Sequence, residues 1–226
     1  MALVDVQKVS KTYQVSETSV RALHEVTLSI EERRFVAFVG PSGSGKTTLL
    51  NVIGCLDRPT TGEVYIDTTR VDGFSPKEAA SFRGDAIGFI FQQFNLLPVL
   101  TVYENVEYPL VMVQDTAKED RRSRVMDLLD AVDMVDQKDK YPGQISGGQK
   151  QRTAVARALV TNPRLVLADE PTANLDQASA FRVIEAMRRM QERLGTTFVF
   201  STHDPKVMQE AEVVFTLEDG RLVDAG

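Results

Sequence analysis

The chain has 226 residues, enough for one large domain with a substantial core, and a formal net charge of −6. That acidic balance removes the global basic footprint of a nucleic-acid binder, and the single cysteine, Cys55, rules out an internal disulfide or a cysteine-built zinc site. Residues 1–9 lack a basic segment followed by a long apolar core, so no signal peptide is expected; no apolar run approaches the ~20 residues of a membrane-spanning helix, and a reducing, cytosolic setting fits.

In chain order, residues 2–9 and 26–30 alternate apolar and polar positions, as half-buried strands do. Residues 11–13 and 15–19 read as the turn between them, His24 as a surface residue, and Glu31-Glu32-Arg33-Arg34 as a solvated turn. The apolar run 35–39 reads as a buried parallel strand. A helix over 47–56 follows, with Leu49, Leu50, Val52 and Ile53 toward a sheet and Cys55 as a small apolar residue on it. Residues 63–67, after the turn-forming Pro59-Thr60-Thr61-Gly62, make a third strand of a small antiparallel sheet. A short helix over 76–84 is entered by Pro76, and 87–91 is a second buried parallel strand.

From about 95 to 160 the pattern becomes helical. Val125, Leu128, Leu129 and Val132 recur at helical spacing within 121–134. Ala154, Val155, Ala158 and Leu159 share one face of 149–159, with Lys150, Arg152 and Arg157 read as a solvated face rather than a nucleic-acid patch. The parallel pattern then resumes with a strand at 165–169, a helix at 178–194 with Phe181, Ile184, Met187 and Leu194 inward, and a strand at 197–201. A short helix over 205–211 has Asp204 as N-cap and Pro205 at its first position, and 213–217 and 221–223 form a hairpin through Asp219-Gly220.

Three stretches carry chemistry. Gly40-Pro41-Ser42-Gly43-Ser44-Gly45-Lys46-Thr47-Thr48 fits G-x-x-x-x-G-K-[ST], and it lies between an expected strand and an expected helix, the context this phosphate-binding loop requires. Its backbone N–H groups form an anion nest at a helix N-terminus; Lys46 reaches the β- and γ-phosphates, and the Thr47 hydroxyl ligates Mg²⁺. The strand 165–168 ends in Asp169 and Glu170: an aspartate in such a place holds Mg²⁺, and Glu170 can polarise a water in line with the γ-phosphate. Ile145-Ser146-Gly147-Gly148-Gln149 opens the basic helix as a second anion site, a surplus for one nucleotide bound by one subunit.

This combination resembles the ATP-binding-cassette (ABC) ATPases, whose signature L-S-G-G-Q stands here as Ile145–Gln149 with isoleucine for leucine. The resemblance spans essentially the whole chain. It implies an α/β fold: a P-loop NTPase (RecA-like) core with a mainly parallel sheet, a small antiparallel β subdomain and an inserted helical subdomain. Residues 1–94 with 160–226 would form the ATP-binding core, and 95–159 the helical signature subdomain, of one nucleotide-binding domain. It also implies that two copies pack head to tail, each ATP held between one P-loop and the partner's signature.

By the same likeness Tyr13 stacks on adenine, Gln92 touches Mg²⁺ and the attacking water, and Asn174-Leu175-Asp176 crosses to the other subunit. His203 contacts the γ-phosphate, Glu170 is the catalytic base and Asp169 the metal-holding acid. Three alternatives stay open: Tyr13 as a strand-edge aromatic, Gln93 in place of Gln92, and His203 as a merely structural residue. One departure is local: Arg33-Arg34 occupies a turn where relatives often carry glycine, and a non-glycine residue at positive φ is costly.

The wording Gly88-Phe89-Ile90-Phe91-Gln92-Gln93-Phe94-Asn95-Leu96-Leu97-Pro98 is similar to short bacterial cassettes of the LolD/MacB/FtsE type, as is Leu56-Asp57-Arg58-Pro59-Thr60-Thr61-Gly62. The likeness implies an ATPase peripheral on the cytoplasmic face of the inner membrane, coupled to separate integral membrane permease subunits, with no nucleic-acid partner. Lipoprotein-release or macrolide/peptide-export work is the first expectation, and FtsE-like gating of a controller of cell-wall enzymes is the alternative. Phe94, Leu96, Leu97, Val99, Leu100 and Tyr103 are either a groove for a partner helix or packing for the helical insert.

Overall fold

The computed structural model describes residues 2–15, 18–114 and 116–225. Strands β1 (Ala2–Val15) and β2 (Thr18–Glu31) precede β3 (Phe35–Val39) and helix α1 (Lys46–Ile53). Then come β4 (Thr61–Ile66), β5 (Thr69–Arg70), α2 (Pro76–Ala86) and β6 (Ile87–Ile90). The helical stretch holds α3 (Val102–Met112), α4 (Lys118–Ala131) and α5 (Gly147–Leu159). The chain closes with β7 (Leu165–Ala168), α6 (Gln177–Leu194), β8 (Thr197–Thr202), α7 (Pro205–Met208), β9 (Val213–Glu218) and β10 (Arg221–Ala225).

The order of the six-stranded sheet, β10-β9-β3-β8-β7-β6, brings distant segments together. Neighbours pair in parallel throughout except β10 on β9. The loop after β3, the acids after β7, the residues after β8 and the glutamines after β6 therefore lie side by side at one carboxyl edge, where open α/β sheets bind ligands.

Strand side chains alternate between the two faces. Phe35, Ala37, Val166, Ala168, Phe198 and Phe200 bury against the helical side. Val36, Phe38, Leu165, Leu167 and Val199 bury against α1 and the smaller sheet, which has the order β2-β1-β4-β5. Both faces are covered, so these strands read as continuous apolar runs.

Several expectations need correction. The expected turn over 11–19 is mostly strand: 11–15 continue β1 and 18–19 begin β2, paired as Tyr13↔Val20 and Val15↔Thr18; residues 16 and 17 lie outside the described residues. Polar character there reflects an exposed ribbon, not a turn. Helix α3 went unassigned because Pro109 interrupts its pattern, although Thr101 and Glu104 form a capping box at its start. On α6 the buried face is Ala180, Val183, Ile184, Met187 and Met190, which leaves Phe181 and Leu194 exposed. His24 is half-buried, with Nδ1 shielded from solvent and its ring against Gly220. Cys55 lies past the end of α1, and burial pushes its thiol up to about 11.

The Arg33 turn behaves as the missing glycine foretold. Arg33 sits at φ 59, held by its N–H donating to Thr197 Oγ1 (2.8 Å) and by Gln191 Nε2 donating to its carbonyl (2.6 Å).

Candidate functional site

The loop between β3 and α1 wraps because its glycines accept conformations other residues resist. Gly45 caps α1 at φ 102, and a Cβ there would lie 2.7 Å from the Ala22 carbonyl oxygen. Gly40 lies at φ 143, where a Cβ would meet the Leu217 carbonyl oxygen at 2.1 Å. Lys46 is almost wholly buried and donates from Nζ to the carbonyls of Gly40 (2.8 Å) and Pro41 (2.9 Å). An ammonium has three donors, so one remains for an anion on the loop.

Beside the loop, the Thr47 hydroxyl is 3.0 Å from both carboxylate oxygens of Asp169. Asp169 extends the sheet edge by donating its N–H to the Ile90 carbonyl (2.9 Å). The buried Ser201 then ties two strand ends together: its hydroxyl donates to Asp169 Oδ1 (2.7 Å) and accepts the N–H of Glu170 (2.8 Å). Glu170 is held at φ 46, a conformation a non-glycine residue adopts only when its surroundings impose it. That turn aims its carboxylate at His203, whose Nδ1 is 3.0 Å from Glu170 Oε1.

These groups surround one cleft of about 490 Å³, lined by Ser42, Gly43, Gly45, Lys46, Thr47, Thr48, Gln92, Glu170 and His203, with Ala22 and Ala173. Two oxygen donors in contact, Thr47 and Asp169, suit a hard divalent cation such as Mg²⁺. Among the described residues, no group of three or more His, Cys, Asp or Glu side chains is placed to hold a metal, so such an ion would take its remaining ligands from phosphate and water.

Other expected residues lie outside this cleft. The Tyr13 hydroxyl is 2.8 Å from Asp57 Oδ2, and Lys11 Nζ sits 4.8 Å from its ring centre. Burial, then the Asp57 carboxylate, pushes the Tyr13 hydroxyl above the usual phenol range, so it remains a donor. Ser146 caps α5, its Oγ accepting from the Gln149 N–H (3.3 Å) while Gln149 Oε1 accepts from the Ser146 N–H (2.9 Å). None of Ser146, Gly147, Gly148 and Gln149 is among the residues lining the P-loop cleft. Gly148 is packed close on α6: a Cβ there would fall 2.9 Å from Ser179 Cβ. Asp176 caps α6 by accepting from the Ser179 N–H (3.0 Å), and the Ser179 hydroxyl first, then this N–H, hold its carboxyl below the usual range.

Sequence reasoning missed Ser201, because only the adjacency of β7 and β8 reveals what it touches. It also misread Arg152 and Arg157 as solvated. Arg152 donates to the Val132 carbonyl (2.8 Å), and Arg157 is half-buried and donates to the carbonyls of Phe94 (2.8 Å) and Asn95.

A family model described as ABC transporter matches residues 23–173. The ABC transporter ATP-binding protein MJ0796 of Methanocaldococcus jannaschii is 44% identical over 223 residues, covering 97% of this chain and 95% of that protein. The macrolide export ATP-binding/permease protein MacB of Syntrophobacter fumaroxidans is 43% identical over 97% of this chain but only 31% of its own length. Among solved structures, the dimeric post-hydrolysis state of MJ0796 bound to ADP and Pi superimposes with a TM-score of 0.91 at 43% identity, covering 99% of this chain and 97% of that one.

Proposed function

The chain belongs to the ABC transporter family as an ATP-hydrolysing cassette, and from that premise we propose that it works as a head-to-tail pair of identical chains that drives separate membrane subunits. One observation carries the reading. The cleft that holds Lys46, Thr47, Gln92, Glu170 and His203 excludes the signature residues of the same chain, so each chain offers two half-sites that only a second copy can join.

In the closed pair, ATP on one P-loop meets the signature helix N-terminus of the other protomer. Oxygen of water attacks the γ-phosphorus, the bond to the β–γ bridging oxygen breaks, ADP leaves, and Glu170 takes the water's proton. The P-loop amides, Lys46 and His203 donate hydrogen bonds to the phosphate oxygens, which is the positioning and charge stabilisation phosphoryl transfer needs. Thr47, Asp169 and the rim residue Gln92 would hold Mg²⁺, which when bound offsets phosphate charge. Tyr13 would stack on adenine with the ring face opposite Lys11, and Asp176 would reach the second protomer.

The docking surface is a groove of about 390 Å³ lined by Leu56, Gly84, Phe89, Pro109 and Val113, among others. None of the apolar residues expected to form such a groove lines it: Phe94, Leu96, Leu100 and Tyr103 are half-buried elsewhere, while Leu97 and Val99 are exposed together with Tyr108, Val111 and Met112. We assign it to a short amphipathic helix of a membrane subunit, a reading supported by likeness to a protein named as both ATP-binding and permease. No helix among the described residues is long and apolar enough to cross a membrane, so attachment to the cytoplasmic face would come through that docking. Export of lipoprotein, macrolide or peptide is the work this arrangement suits.

ATPase activity per chain, measured against protein concentration, tests the pairing. Activity should rise with concentration and then saturate; constant activity across dilution would refute it.

A further inference from the structure

The loop after β6 carries Gln92, and four of its carbonyls are gripped from outside. Gln151 Nε2 lies 3.5 Å from the Phe91 carbonyl, at the limit of hydrogen bonding, and Asn174 Nδ2 donates to the Gln92 carbonyl (3.1 Å). Arg157 takes the next two available, donating to Phe94 (2.8 Å) and to Asn95. Three of these four grips come from α5, the helix whose N-terminus is the signature motif.

The loop needs holding. Phe94 (φ 61) and Asn95 (φ 48) are consecutive left-handed residues, each costing about 1 kcal/mol or more for a residue with a Cβ. The side chain of Phe94 also reaches the signature: a Cβ on Gly147 would lie 3.8 Å from Phe94 Cζ. Arg157 remains a cation at neutral pH even though burial pulls it down to about 10. A guanidinium fork suits two adjacent carbonyls as a lysine ammonium does not.

We propose that Arg157 is a positioning residue for hydrolysis: by clamping the carbonyls of Phe94 and Asn95 it fixes the Gln92 loop to the signature helix, so that both move as one body. The inference rests on the reading of Gln92 as a residue that touches Mg²⁺ and the attacking water, and it adds what sets the position of that glutamine.

The test is a pair of double-mutant cycles on the purified chain, with kcat and KM for ATP as readouts. Arg157→Lys keeps the charge and loses the fork; Asn95→Val leaves Arg157 intact and puts a β-branched residue at an exposed left-handed position. Each is made with Gln92 present and with Gln92→Ala. Arg157→Lys should lower kcat by about tenfold, as loss of one charge-assisted bond would, with KM within about twofold. Asn95→Val should lower kcat several-fold, and both effects should vanish in the Gln92→Ala background. Equal losses in both backgrounds would make Arg157 merely structural and overturn the proposal. An unchanged kcat for Gln92→Ala alone would overturn the reading of Gln92 and the proposal with it. Should Arg157→Lys fail to fold, the Asn95→Val cycle decides the matter alone.

Discussion

Ser201→Ala removes one hydroxyl from a site sealed against water, and its consequences can be worked out bond by bond. The hydroxyl accepts the Glu170 N–H at 2.8 Å and donates to Asp169 Oδ1 at 2.7 Å, and Ser201 is fully buried. Without it the Glu170 N–H is orphaned, at about 1–3 kcal/mol, and a carboxylate loses a bond of about 1.5–3 kcal/mol. Because the two losses share one group and the site relaxes, we expect about 3 kcal/mol in total. For a chain of this length that lowers Tm by about 6–12 °C.

The same bond holds Glu170 at φ 46, so its loss also lets the carboxylate drift from His203. We expect kcat to fall by about tenfold or more, with KM for ATP nearly unchanged, since the lost geometry serves the transition state. Scanning calorimetry and steady-state ATPase assays measure both. A Tm within about 2 °C of the parent's, together with an unchanged kcat, would refute the role given to Ser201.

Gly148→Ala places a Cβ 2.9 Å from Ser179 Cβ, so the first turn of α5 must shift; nucleotide binding at the P-loop should persist while turnover drops about tenfold, as fluorescence titration and ATPase assays would report. Tyr13→Ala should raise KM for ATP about fivefold with kcat nearly unchanged if its ring stacks on adenine, whereas an unaltered KM would leave it a strand-edge aromatic. Burial alone would raise the Asp57 carboxyl, but hydrogen bonds from Lys11 and Tyr13 outweigh it and hold the group below its usual range. A depressed carboxyl stabilises the fold above its unfolded pKa, and that stabilisation is lost as pH falls through the folded value. The Tm advantage of the parent over Asp57→Asn should therefore be flat above about pH 5 and shrink below about pH 4, as a pH series of melts would record.

Where a strand is covered on both faces, the sequence spoke plainly. The apolar runs of β3, β7 and β8, the helix entry at Pro76 and the cap at Asp204 were all legible, because local spacing alone determines them. The P-loop was legible because its glycines answer to backbone geometry within a few residues. Phe181 was misplaced because the apolar stripe of α6 is set by which neighbours cover it, not by hydrophobicity alone. Ser201 and Arg157 were silent because their partners lie 32 and 63 residues away in sequence and meet them only through the sheet order and the packing of α5. An arginine half-buried against backbone carbonyls on a basic helix looks the same in sequence as an exposed one.

The central claim is that one chain holds two half-sites that only a second copy can complete. Glu170→Gln keeps the shape of the site but removes the proposed base, so with MgATP it should sediment as a stable dimer and with ADP as a monomer. A variant that stays monomeric with saturating MgATP, or one that turns over ATP at the parent's rate, would contradict the account.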